Sequence, residues 1–230
     1  MKYTAATAKP FSWSYSKLKN FKTCAFRYKK IDVDKKYAED FSGEHLKWGK
    51  EVHTAFEKRV RDNTPFPKGM EAFEDAVAGR LVGVPGLILV EQQMAIRQDL
   101  SACGWFDKDV WFRSIADYLR INGPVALAID YKTGKILEDS EQLALMAECV
   151  FAHYPEVQAV RTEFWWLKDD AATKENFYRN KRAETWARVM PDVSILENAH
   201  SQNVFPQKPS GLCKKHCIVT ECPFHGKGGR

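Results

Sequence analysis

Apolar residues recur along this chain with two periods, and the switches between them outline a fold. Between residues 12 and 30, hydroxyl side chains suited to a helix N-cap precede Leu18, Phe21, Ala25 and Tyr28 at three- and four-residue steps, the spacing of one helix face. Helical patterning returns over 46–60 and 70–81, the second stopped by Gly83, Pro85 and Gly86. Strand-like segments follow at 88–96, at 110–121 with a kink expected at Ser114, and at 125–132, the last two joined by a Gly123-Pro124 turn. Residues 138–153 put Leu143, Met146, Ala147 and Val150 on one helical side, 160–167 are rich in β-branched and aromatic residues, and 181–198 read as a further helix. A polar, proline-containing connector at 201–212 leads to a cysteine-rich end. The order predicted for the middle of the chain is helix, three strands, helix, strand.

The 230 residues are 44% hydrophobic and 13% aromatic, which supplies one sizeable core and excludes a disordered chain. A single domain is expected. Residues 1–10 lack the apolar core of a signal peptide, and the most apolar stretch, 81–90, is too short and interrupted to span a bilayer, so a cytoplasmic protein with no membrane association is expected. The net charge of +5 says little by itself, but its distribution says more. Lys17, Lys19, Lys22, Arg27, Lys29 and Lys30 load an early segment, Lys174, Arg179, Lys181, Arg182 and Arg188 a late one, and Lys208, Lys214, Lys215, Lys227 and Arg230 the tail. Positive charge at both ends around a more acidic centre suits a phosphate backbone gripped about an inner metal site.

That centre holds the most informative motif. The apolar run 125–129 ends in Asp130-Tyr131-Lys132, and thirteen residues earlier Asp117 closes Arg-Ser-Ile-Ala-Asp. Side chains alternate along a strand, so Asp130 and Lys132 project from one side and Tyr131 from the other. A carboxylate that holds a hard cation beside an ammonium that orients or deprotonates water is what metal-assisted phosphodiester hydrolysis requires. Asp34-Lys35-Lys36 carries the same acid-x-base pattern but lies in a polar run with no strand to aim it, and reads as a solvated face.

Taken with Trp48-Gly49-Lys-Glu-Val-His53, with Glu91 interrupting an apolar strand and with Gln142 on the next helix, these residues occur in an order that resembles the RecB-like branch of the PD-(D/E)XK nuclease superfamily. The opening Ser-Tyr-Ser-Lys-Leu-Lys-Asn-Phe-Lys-Thr-Cys24 also resembles that family's first helix. The resemblance implies a restriction-endonuclease-like α/β core in αβββαβ order, a central mixed β-sheet flanked by helices. The core would span 46–200, with an N-terminal helix at 10–30 and a tail at 201–230 packed on that helix. It implies a metal site of His53, Glu91, Asp117, Asp130 and the Tyr131 backbone carbonyl, with Asp117, Asp130, Lys132 and Gln142 as the catalytic set. Mixed oxygen and imidazole ligation suits Mn2+ and tolerates Mg2+. One position departs from the family: Gln142 is followed four residues on by Met146 where an aromatic is usual, and Met146 is expected to pack in the core.

Six cysteines in a chain with an ample core are expected to be thiols or metal ligands, not a disulfide framework. Cys103 and Cys149 sit in apolar company and read as packing residues. Cys213, Cys217 and Cys222, with Cys24 in the first helix, resemble the layout of the family's iron-sulfur members, which implies a 4Fe-4S cluster joining the chain ends. The spacing differs by one residue, and structural Zn2+ on Cys24 or on His216 or His225 is the rival. The expected function is a metal-dependent DNA exonuclease of recombination, repair or phage DNA metabolism. It would act on single-stranded DNA or duplex ends, with a helicase, recombinase or annealing protein as partner. The alternatives are a structure-specific endonuclease or end-trimming enzyme, and a non-catalytic nucleic-acid-binding module carrying a zinc ribbon.

Overall fold

The three apolar runs at the centre of the chain become adjacent strands of one mixed sheet. A computed structural model describes residues 11–40, 42–137 and 140–227. The leader reading of residues 1–10, the start of the helix predicted at 138 and Arg230 fall outside them. β2 (Leu87–Ile96), β4 (Phe112–Asn122) and β5 (Val125–Lys132) pair antiparallel in sequence, and β5 then pairs parallel with β6 (Ala159–Trp166). A parallel neighbour needs a crossover, and α5 (Glu141–His153) supplies it. β3 (Ala102–Cys103) and β7 (Ala171–Tyr178) complete the order β3-β2-β4-β5-β6-β7. β1 (Trp13–Ser14) pairs parallel with the start of β4, at Phe112 and Arg113, which β5 does not reach.

One face of the sheet carries the main core, where Met94, Leu119 and Ala128 meet Leu143, Met146 and Val150 of α5 and Trp186, Val189 and Leu196 of α6 (Arg182–Gln202). The other face packs Tyr118, Ile129 and Tyr131 against Val52 and Phe56 of α3 (Glu44–Asp62). Buried apolar layers on both faces explain why β5 reads as an unbroken apolar run. The restriction-endonuclease-like α/β order of helix, three strands, helix and strand is present, and β7 extends it. Among the described residues no helix is long and apolar enough to cross a membrane.

Four local expectations need correction. The helix predicted over 12–30 is divided into α1 (Tyr15–Thr23) and α2 (Ala25–Tyr28), because Cys24 lies extended at φ −164°, ψ 110°. The helix predicted over 70–81 shrinks to a 3-10 turn, Glu71–Phe73, and α4 (Glu74–Val77), since Gly79 adopts φ 69° directly afterwards. No kink occurs at Ser114, which pairs in register with Met94. β7 had no sequence signal: Ala-Ala-Thr-Lys-Glu-Asn is too polar to alternate visibly, as befits a strand bound on one side only.

The tail docks on the first helices. The Phe26 N–H donates to the Pro206 carbonyl at 3.1 Å, Lys208 Nζ donates to the Lys22 carbonyl at 2.9 Å, and Glu221 pairs with Lys30 at 2.7 Å and with Lys36. Val219 is fully buried there, and α7 (Leu212–Lys215) carries Cys213.

Candidate metal and nucleic-acid site

Three carboxylates form a row across the sheet. The β2–β4 register sets Glu91 opposite Asp117, and the β4–β5 register sets Asp117 opposite Asp130, one step past the last regular pair, Tyr118 with Ile129. With the ladder ended there, the Tyr131 N–H has no strand partner on that side and donates to Asp117 Oδ2 at 2.6 Å. The other oxygen of Asp117 lies 3.3 Å from His53 Nδ1 on α3. Gly49, one helical turn earlier, lets α3 approach the loop after β5, since a Cβ there would stand 3.0 Å from Thr133 Oγ1.

Glu91 reaches the row through a backbone φ of +49°. A left-handed glutamate within a strand costs about 1–3 kcal/mol and persists where surrounding structure imposes it. His53, Glu91 and Asp117 offer ligand atoms that all lie within 4.8 Å of one another.

Asp130 and Lys132 share a side of β5, as alternation requires, and meet at 2.6 Å. Gln142, in the first turn of α5, bridges them: its Nε2 donates to Asp130 Oδ1 at 2.7 Å and its Oε1 accepts from Lys132 Nζ at 3.1 Å. Lys132 Nζ also lies 4.7 Å from the centre of the Phe164 ring, an attraction of cation to ring face. Met146 is buried in the main core.

The charges are crowded. Burial first, then the charge of Asp117, pushes the Asp130 carboxyl up to about 6, against the pull of Lys132 and His53. Burial and Asp117 also raise Glu91. Burial pulls the His53 imidazole down, but its hydrogen bond to Asp117 and the charges of Asp117, Asp130 and Glu91 outweigh this, and the net shift is upward. Asp130 and Glu91, both shifted toward the protonated form, lie in a group short of positive charge, and one imidazole plus carboxylate oxygens fit a divalent cation.

The structure therefore brings His53, Glu91 and Asp117 together, and holds Asp130, Lys132 and Gln142 as a second, hydrogen-bonded group. All but His53 line one cleft of about 590 Å³. Tyr131 turns its ring to the opposite face, 4.3 Å from Phe56. Several cleft residues were missed by sequence reasoning, Tyr15, Trp105 and Arg113 among them. A signal existed for Trp105, since Gly104-Trp105-Phe106 places aromatics at the start of a polar turn. Beyond Tyr15 and Lys19, which line both spaces, lies a second cavity of about 560 Å³ bordered by Lys22, Arg188 and Lys208. Cys24, Cys213, Cys217 and Cys222 line a single recess between the first helices and the tail, and neither His216 nor His225 is among the residues around it. Cys103 and Cys149 are buried, as packing residues should be.

The family model of the PD-(D/E)XK nuclease superfamily matches residues 12–225. The chain belongs to that superfamily. Membership supports a metal-dependent nuclease that acts on DNA, and PD-(D/E)XK nucleases use divalent metals, in keeping with the His53–Glu91–Asp117 group. A candidate exonuclease from Eubacterium rectale is similar in fold at a TM-score of 0.53, with 14% identity over 100% of this chain and 95% of that one. The protein SSO0001 is a looser match, with a TM-score of 0.46 and 12% identity over 95% of this chain and 89% of that one. No curated protein matches the sequence closely enough to count as a relative.

Proposed function

We propose that the protein is a DNA exonuclease of the RecB-like branch, cutting phosphodiester bonds in the cleft between α5 and the row Glu91–Asp117–Asp130. The observation that carries this reading is the meeting, within one cleft, of the acidic row with the Asp130–Lys132–Gln142 group. His53, Glu91, Asp117 and Asp130, with the Tyr131 carbonyl, would hold Mg2+ or Mn2+. When bound, the cation supplies Lewis-acid stabilisation of charge on the phosphoryl oxygens. Lys132 positions the attacking water and offsets developing negative charge, while Gln142 fixes the ammonium against Asp130. Lys19, Lys22, Arg188 and Lys208 extend the cleft as a path for the phosphate backbone.

Cys24, Cys213, Cys217 and Cys222 are the proposed ligands of a 4Fe-4S cluster. All four thiols line one recess between the first helices and the tail, which supports a metal group shared between the chain ends. Anaerobically purified protein should be brown and contain stoichiometric iron and sulfide, whereas colourless protein with one zinc would replace this part of the reading.

Incubating linear and closed circular DNA with Mg2+, Mn2+ or EDTA tests the activity. Metal-dependent loss of nucleotides from linear DNA alone is expected. Cutting of closed circles would favour the structure-specific endonuclease, and binding without cleavage in either metal would favour the non-catalytic module.

A further inference from the structure

Phe106 is the most exposed large apolar side chain among the described residues, at 88%, and the loop that carries it is held at many points. The Asp107 N–H donates to the Gly104 carbonyl at 3.1 Å, and the Gly104 N–H donates to Asp107 Oδ2 at 2.9 Å, closing a four-residue turn with Phe106 at its third position. A Cβ on Gly104 would stand 2.7 Å from Asp107 Oδ1, so a larger residue there would have to displace the carboxylate that closes the turn. Arg97 clamps the turn from below, donating to Asp109 at 2.6 Å, to the Ala102 carbonyl at 2.6 Å and to Asp107 at 3.2 Å. On the cleft side, Arg113 donates to the Trp105 carbonyl at 3.1 Å and to Ser12 Oγ at 3.0 Å, with its guanidinium 5.6 Å from the Trp105 ring.

Apolar residues exposed singly are ordinary on protein surfaces. A phenyl ring kept in water by a rigid, multiply hydrogen-bonded turn is different, because the ring's position is fixed in advance and its burial gain is left for something else to collect. Trp105, its neighbour in sequence, and Arg113, which packs on Trp105, line the same cleft as Asp117, Asp130 and Lys132.

We propose that Phe106 is a stacking residue that receives the face of one nucleobase from the strand whose phosphodiester lies in the cleft. This deepens the nuclease reading and rests on it. Within a duplex both faces of each base are covered by neighbours, so a base can meet Phe106 only from a single strand or at a duplex end. The substrate class selected is therefore a free or unpaired end. The contact is tolerant of sequence, since every base has a π-face.

The test uses the full-length protein in EDTA, so that binding is read without cleavage. Single-stranded oligonucleotides carry 2-aminopurine at one position, moved stepwise along the strand. In the wild-type protein one position should be quenched strongly. Phe106→Ala should remove that quenching and weaken binding by roughly 5- to 150-fold, the loss of one base–aromatic stack. Phe106→Trp should restore both, and Val125→Ala, exposed at the far end of β5, should change neither. Equal affinity and an unchanged quenching pattern for Phe106→Ala overturn the inference. Position-specific quenching without any cleavage once metal is added upholds the stacking residue and overturns the nuclease reading, which separates the two failures.

Discussion

Glu91 and Asp117 face each other across β2 and β4 in the one row of that ladder that makes no regular backbone pair. The alternation of sides slips in both strands at this level. In β4, Phe112 and Ala116 share the main core with Leu119 and Ile121, while Tyr118 joins the opposite one; in β2, Leu89 joins Met94 and Ile96, while Val90 lies opposite. The slip, with φ +49° at Glu91, delivers two acids to the same end of the sheet. Strain at a non-glycine residue in a strand is a mark of function more than of folding.

Because Glu91 is raised by burial and by Asp117, removing its charge relieves the cation-free protein. Glu91→Gln should raise Tm measured without divalent metal. It should also weaken Mn2+ binding at least about tenfold. Differential scanning calorimetry in EDTA and calorimetric titration of Mn2+ read the two effects. A lower Tm in EDTA would contradict the electrostatic account.

Among the described residues Gln142 hydrogen-bonds to Asp130 and Lys132. Gln142→Ala should lower kcat by roughly 10- to 100-fold, as loosening a positioned electrostatic group does, with a smaller loss of metal affinity, since Asp130 is the one proposed ligand it hydrogen-bonds. Metal titration beside steady-state kinetics checks the split, and equal losses in both would place Gln142 among the cation's supports instead.

Protons and cations compete for the acidic row. Asp130 keeps its proton up to a pH of about 6, and His53 is shifted above its ordinary 6.5. Cation affinity should therefore fall as pH drops, beginning above 6.5 as His53 protonates and steepening below about 6. Titrations in buffers of different ionisation enthalpy should show proton release on binding across that window. Affinity that is flat from pH 5 to 8 would rule this out.

A second titration is remote from the cleft. His200, near the end of α6, is hydrogen-bonded to the Tyr28 hydroxyl at 2.8 Å, and burial followed by the charges of Lys17 and Lys29 lowers its pKa. With a folded value below the ordinary 6.5, the unfolded chain binds more protons in this window. The stability His200 contributes is thus present above pH 6.5 and lost as pH falls through the interval beneath it. The Tm difference between wild type and His200→Gln should shrink as pH drops from 7 to 5, and a difference that widens would contradict the assignment.

Much of this was readable from sequence because the chemistry sits on regular elements. The run from Val125 to Lys132 is apolar, ends in the acid and base, and forms β5 with those bounds; the helical stripe through Leu143 and Val150 likewise forms α5. What escaped was non-local. Cys24 breaks a helix whose periodicity continues through it, and its extended backbone lies where the tail is docked, 180 residues downstream. The polar β7 is specified by its partner β6 rather than by its own alternation. The slip at Glu91 is hidden from one-dimensional alternation because both faces of the sheet are buried. The cleft wall of Trp105 and Arg113 depends on a turn closed by Gly104 and Asp107, contacts that no periodicity encodes.

The most direct measurement is cleavage of end-labelled linear DNA by the wild-type protein and by Asp117→Asn, each with Mg2+, Mn2+ or EDTA. Asp117 touches both His53 and the Tyr131 N–H, so the account expects metal-dependent cleavage by the wild type. It expects none in EDTA, and a loss of at least about three orders of magnitude in the variant with DNA binding retained. Near wild-type cleavage by Asp117→Asn, or a wild-type protein inert in both metals, would contradict it.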